Sequence, residues 1–135
     1  MNAIPEELRG VTPFLVVSSV DAAVAFYRTV FGAEEMLRDT DSDGRVWHCE
    51  LSLAGGRVLL AEEFPDMGVY APARDAHRPV LLQVYLPDTD AVYAVAMEAG
   101  ATGEIEPTDA FWGERHCQFT DPFGHLWGVS TRHAG

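Results

Sequence analysis

Residues able to ligate a metal or move a proton recur here in a pair of matching tetrapeptides. His48-Cys49-Glu50-Leu51 reappears as His116-Cys117-Gln118-Phe119, 68 residues further on. Each tetrapeptide reads as strand, where alternate side chains share a face. His48 and Glu50 therefore lie together, and so do His116 and Gln118. If both strands face one cavity, His48, Glu50 and His116 form the two-histidine, one-carboxylate set of a non-haem iron site. The same three groups offer acid and base chemistry without any ion. Against that, Gln118 stands where symmetry would want a second carboxylate, and a divalent ion needs several converging donors. The expectation is a wet polar lining, with no metal and no catalytic group.

The same alternation turns Cys49 and Cys117 away from the histidines, into an apolar layer where a free thiol acts as a small core hydrophobe. A Cys117–His116 nucleophile pair is conceivable, but sequence neighbours on a strand point apart. Trp47 shares the parity of Cys49 and Leu51 and is expected in the core, as is Trp127 beside Val129. Trp112 differs: it lies in the loop Asp109-Ala110-Phe111-Trp112-Gly113, where an indole face suits a planar ligand. Phe64 and Tyr70 are candidates for the opposite wall, and Phe14 and Val16 for the floor with His48, Glu50, His116 and Gln118. A small planar or cationic organic compound fits such a lining. His125 and His133 read as exposed, and His77 carries no specific signal.

The elements that position these residues are also written twice. Gly32 and Gly100 are 68 residues apart, as are Gly56 and Gly124. The spacing divides the single domain, residues 1–135, into a module at 11–63, a proline-rich linker at 64–78 and a module at 79–132. In the first, Val11 to Val17 reads as strand, and Ser18 or Ser19 caps a helix whose Val20, Val24, Tyr27 and Phe31 share one face. Gly32 stops that helix, and strands at Glu35–Asp39, Arg45–Leu53 and Arg57–Glu62 follow. In the second, Val80–Leu86 is strand, and Pro87 and Asp88 open a helix with Val92, Val95, Ala96 and Ala99 on its apolar face. Strands at Glu114–Thr120 and His125–Thr131 flank an Asp121-Pro122-Phe123-Gly124 turn. Each module is β-α-β-β-β. The fold class is α+β, with two tandem modules forming curved half-barrel sheets around a shared cavity.

Bulk composition narrows the partners. With 135 residues the chain buries a core without disulfides. A formal net charge of −12 opposes nucleic acid and anionic membrane surfaces, which need a basic face. All 9 basic residues are arginine, so Schiff-base chemistry is excluded. The start, Met1 to Gly10, lacks the pattern of an export signal, and the two cysteines suit a reducing compartment, so a cytoplasmic location is expected.

The entry Leu15-Val16-Val17 followed by Asp21 to Tyr27, then Phe31-Gly32-Ala33, resembles the vicinal oxygen chelate superfamily of glyoxalases, extradiol dioxygenases and bleomycin-resistance proteins. The ending Asp121-Pro122-Phe123-Gly124-His125-Leu126-Trp127 is equally similar, and Phe111 to Arg115 resembles the glyoxalase- or bleomycin-resistance-like branch. The resemblance implies a small-molecule partner, a homodimer, and in the enzymes a divalent ion held by His or Glu. Carried over, those ligand positions fall at Thr12, Leu60, Leu81 and Gly128, which hold no useful donors. The resemblance thus points to the branch lacking the metal site. The function expected is sequestration of a small organic compound, of the antibiotic-resistance type. The alternative is a lyase, isomerase or dioxygenase of the superfamily with a relocated site at His48, Glu50 and His116.

Overall fold

One capped helix and four short amphipathic strands per repeat leave little choice of arrangement: the helix covers one face of its sheet. The computed structural model describes residues 3–73 and 75–133. The chain divides into two compact units, Met1–Ala71 and Pro72–Gly135. The first contains β1 (Phe14–Val17), α1 (Val20–Phe31), β2 (Glu34–Thr40), β3 (Val46–Leu53) and β4 (Gly56–Glu62). The second contains β5 (Leu81–Tyr85), α2 (Thr89–Glu98), β6 (Thr102–Ala110), β7 (Glu114–Thr120) and β8 (Leu126–Arg132). Sheet order is β1-β4-β3-β2 in one and β5-β8-β7-β6 in the other. The first strand runs parallel to the last in each, and the remaining pairs are antiparallel. Two tandem β-α-β-β-β modules are therefore present, as the internal repeat implies.

In the first unit Ser19 caps α1, its Oγ accepting from the Ala22 amide at 3.1 Å. Gly32 ends it at φ 70°, a left-handed conformation costly for other residues. Val20, Ala23, Val24, Tyr27, Val30 and Phe31 form its buried face. Opposite lie Leu15, Val17, Cys49, Leu51 and Leu60 from the sheet, all buried. Burying side chains of this size stabilises by roughly 1.5–3 kcal/mol each. Glu62, ending β4, clamps this layer: one carboxylate oxygen accepts from the Val20 amide and the other from the Val46 amide, each at 2.9 Å. A carboxylate at a helix N-terminus is favoured by both the free amides and the helix dipole. β1 starts later than Val11, which is 99% exposed. Pro13 lacks an N–H for the ladder, and only its carbonyl is used, by the Leu59 amide.

In the second unit Asp88 caps α2 through the Ala91 amide at 3.1 Å. Only Thr89 and Ala96 of this helix are buried, whereas Cys117, Phe119, Phe123, Trp127 and Val129 are. Asp121 makes the expected turn. One carboxylate oxygen takes the Phe123 and His125 amides, and the other takes the Trp127 indole N–H at 2.9 Å. His125, expected exposed, is half-buried by that turn.

Two sequence expectations change. The β-α-β-β-β reading implies a strand between α2 and Glu114 without placing it; β6 fills that position and absorbs Asp109 and Ala110, read as loop. It is an edge strand of mostly exposed polar residues, and Pro107 sits in the irregular stretch between Ile105 and Thr108, where the ladder needs no N–H from it. The segment read as linker also carries structure. A 3-10 turn at Pro65–Met67 is closed by a Phe64–Val69 bridge, forming a strap on the first unit.

Burial pushes both thiols up to about 11, with Glu35 a further cause at Cys49. Both cysteines are 0% exposed. At pH 8 neither should react with a disulfide reagent in the native protein, and both should react in guanidinium; rapid native labelling would contradict this packing. Removing the clamp by Glu62→Ala strips two amides of their acceptor and should cost about 2 kcal/mol in urea unfolding. A loss under about 0.5 kcal/mol would show that water replaces it.

Candidate functional site

Strand register sorts each sheet into a helix-covered face and an open one. In the first unit Phe14 pairs with Leu59, Val16 with Ala61, and Glu50 with Leu59. Phe14, Val16, Leu59, Ala61, His48 and Glu50 thus share the open face, and Leu60, paired with Cys49, faces the helix. Trp47 breaks the alternation. β2–β3 pairing steps from Asp39–His48 to Thr40–Val46, so Trp47 is an extra, bulged residue. It is 52% exposed rather than in the core. Parity alone misplaced it, because a bulge re-aims a side chain.

Trp47 lines a pocket of about 390 Å³ with Phe14, Val16, Ala61 and the strap residues Phe64, Met67 and Val69. The strap is closed by paired Phe64–Val69 backbone bonds of 2.9 and 3.1 Å, and the Arg45 guanidinium lies 4.5 Å from the Phe64 ring centroid. The His48 ring borders this pocket, with centroids 6.2 Å from Phe14 and 6.0 Å from Trp47. Glu50 is buried and paired with Arg57 at 3.4 Å. Tyr70, expected as a wall, is 61% exposed and does not line the pocket. Sequence reasoning found Phe14, Val16 and Phe64 but not Met67 or Val69, whose place depends on the strap's turn.

The open face of the second unit is polar. His116 pairs with Ser130, and Gln118 with Gly128, which in turn pairs with Gln83. His116 Nδ1 lies 2.7 Å from Ser130 Oγ, which also accepts from Gln83 Nε2 at 2.9 Å. His116 Nε2 lies 3.1 Å from Gln118 Nε2. The two candidates His116 and Gln118 are therefore in direct contact. Gly128 makes room for them: a Cβ there would fall 2.5 Å from Gln83 Oε1 and 3.3 Å from His116 Cε1.

Beside this cluster Glu114 orders the Trp112 loop. Its Oε1 accepts from the Trp112 indole at 2.8 Å and the Tyr85 hydroxyl at 3.1 Å, and Arg132 approaches Oε2 at 3.6 Å. The Trp112 indole, then Tyr85 and Arg132, hold the Glu114 carboxyl below the usual carboxylate range, against the opposing effect of burial. Trp112 stays 55% exposed, its ring edge-on to His116 at 5.9 Å. Gln83, Tyr85 and Ser130 were not singled out as binding residues. Their signal was the period-two alternation of β5 and β8.

The positions where a divalent ion would be held do not suit one. Leu60 points into the core, Gly128 has no side chain, and the open faces of β1 and β4 present Phe14, Val16, Leu59 and Ala61. Among the described residues no group of three or more His, Cys, Asp or Glu is placed to hold a metal. Both ring nitrogens of His116 are hydrogen-bonded, so using one for an ion breaks the cluster.

These two open faces sit in a chain with clear relatives. It is 34% identical over 121 residues to an uncharacterised protein of Mycobacterium bovis, covering 87% of this chain and 80% of that one. The crystal structure of TioX from Micromonospora sp. ML1 is similar at 27% identity and TM-score 0.68, covering 92% of this chain and 98% of TioX. The genomically encoded fosfomycin resistance protein FosX of Listeria monocytogenes, solved with Mn(II) and sulfate, shares the fold at TM-score 0.70 and 16% identity, over 93% of this chain and 91% of FosX. Residues 10–129 match the family described as the Glyoxalase/Bleomycin resistance protein/Dioxygenase superfamily, and the chain belongs to that superfamily.

Proposed function

We propose that the chain is a metal-free binding protein that captures a small, planar organic compound, as resistance proteins of this superfamily sequester drugs. The observation that carries the reading is the apolar pocket of about 390 Å³ walled by Trp47, Phe14 and Phe64. Ligand pockets are typically apolar cavities of about 300–1,000 Å³ with a few polar groups that set orientation. An indole and two phenyl rings favour a flat ring system by stacking and by burial. His48 at the pocket edge supplies a polar handle. The non-ligating residues on the open faces of β1 and β4, Phe14, Val16, Leu59 and Ala61, support a binding role over metal-assisted catalysis. The competing reading, acid–base or metal chemistry at His48, Glu50 and His116, would need Glu50 released from Arg57 and His116 from its two partners.

The reading includes a cytoplasmic homodimer, supported by the unpaired outer edges of β1 and β2 in one sheet and β5 and β6 in the other among the described residues. Sedimentation equilibrium should give twice the chain mass; a monomer at high concentration removes that part.

Titration of a panel of planar antibiotics, followed by calorimetry and indole quenching, should yield a binder with a Kd in the micromolar range or tighter. Trp47→Ala should weaken that binder about 10-fold or more, as loss of a buried aromatic anchor does. Metal analysis of untagged protein prepared without chelators should find no stoichiometric iron, nickel, zinc or manganese. Turnover without binding to any panel member, or one bound metal per chain, would reject the proposal.

A further inference from the structure

We infer that the apolar pocket of the first unit takes planar ligands that carry a ring hydroxyl, and that His48 is the residue that selects for it. The inference rests on the planar-ligand reading and adds the polar group that the ligand must bear.

The internal repeat supplies a comparison within the chain. His116 meets Ser130 Oγ at 2.7 Å on one ring nitrogen and Gln118 Nε2 at 3.1 Å on the other, and Gln83 Nε2 donates to Ser130 Oγ at 2.9 Å. Strand register identifies the matching positions around His48. Cys49 pairs with Leu60 as Cys117 pairs with Val129, so Ala61 stands where Ser130 stands. The row Phe14–Leu59–Glu50 matches the row Gln83–Gly128–Gln118. A methyl group thus replaces the serine hydroxyl, and a phenyl ring replaces the Gln83 amide. The remaining counterpart, Glu50, is ion-paired with Arg57 at 3.4 Å. Among the described residues His48 has ring contacts with Phe14 and Trp47 and no hydrogen bond at either nitrogen. Its imidazole is half-buried, at the margin of a pocket lined by apolar side chains.

The chemistry of the absent partner follows without choosing a tautomer. Neutral imidazole offers one N–H donor and one acceptor nitrogen, whichever atom carries the proton. A ring carbonyl answers only the donor, and an aromatic N–H answers only the acceptor. A hydroxyl answers either, because it both donates and accepts. A flat hydrocarbon reaching His48 would strip water from the imidazole and return no hydrogen bond, which costs affinity. The Phe14 and Trp47 rings, with centroids 6.2 and 6.0 Å from that of His48, give the ligand's aromatic body a place beside the imidazole. His48 therefore sets which edge of a bound ring system carries oxygen.

The test is an NMR titration of the full chain with 2-naphthol and with 2-methylnaphthalene, which has nearly the same shape and no hydroxyl. The methyl compound is the more hydrophobic, so the quantity that counts is the ratio of the two affinities, compared between parent and variant. His48→Phe should shift that ratio against 2-naphthol about 5-fold or more, the worth of one net hydrogen bond, and should hold 2-methylnaphthalene at least as well as the parent. His48→Gln keeps a donor and an acceptor and should leave the ratio within about 2-fold of the parent's, which keeps the test decisive if His48→Phe fails to fold. In the parent, 2-naphthol should move the His48 ring-nitrogen shifts well beyond the ring-current change that 2-methylnaphthalene gives. An unchanged ratio in His48→Phe, a collapsed ratio in His48→Gln, or unmoved His48 nitrogens overturns the inference. If neither compound binds the parent, the planar-ligand reading fails and takes the inference with it. If both bind and the ratio ignores His48, only the inference fails.

Discussion

A four-stranded sheet has two faces, and each unit of this chain supplies a single helix to cover one of them. α1 covers Cys49, Leu51 and Leu60, and the opposite face, with Phe14, Val16 and Ala61, is left for something else. The same division runs through the second unit, where Trp127 and Val129 go inward and Gly128 and Ser130 lie on the open face. Apart from the bulged Trp47 and the loop and strap aromatics, the candidate site residues sit on those uncovered faces, because period-two strands alternate inward and outward residues.

The repeat has diverged in what it leaves uncovered. In the first unit the open face is greasy and is partly roofed by the strap at Phe64–Val69, so the cost of exposing rings to water is reduced. In the second it is a hydrogen-bonded lattice in which Gln83, Ser130, His116 and Gln118 satisfy one another. A buried polar group is tolerated when paired, which explains how His116 and Ser130 stay nearly inaccessible without penalty. Neighbouring Glu114 extends the lattice to Trp112 and so fixes a loop that sequence alone could only describe as aromatic.

What the sequence revealed follows the strength of local signals. Ser19, Gly32 and Asp88 announced both helices because capping is chemistry confined to a few residues. The matching tetrapeptides around His48 and His116 announced both central strands. β6 was implied by the repeat but not located, because an exposed edge strand containing Pro107 has no apolar alternation to mark it. Trp47 was misplaced because one inserted residue shifts parity, and nothing in Val46-Trp47-His48 marks an insertion. Phe14 and Phe64 line the apolar pocket as read, whereas His116, Gln118 and Trp112 lie in the second unit outside it, a division that depended on a turn and a register.

Gly128 carries a consequence for how such a chain could change. Installing an imidazole or carboxylate at that position meets the Gln83 amide and the His116 ring before it meets any ion. Clearing the space means replacing Gln83, which in turn deprives Ser130 of a donor. A route to ion binding at that position therefore passes through variants that have lost the present hydrogen-bonded order and not yet gained a new one.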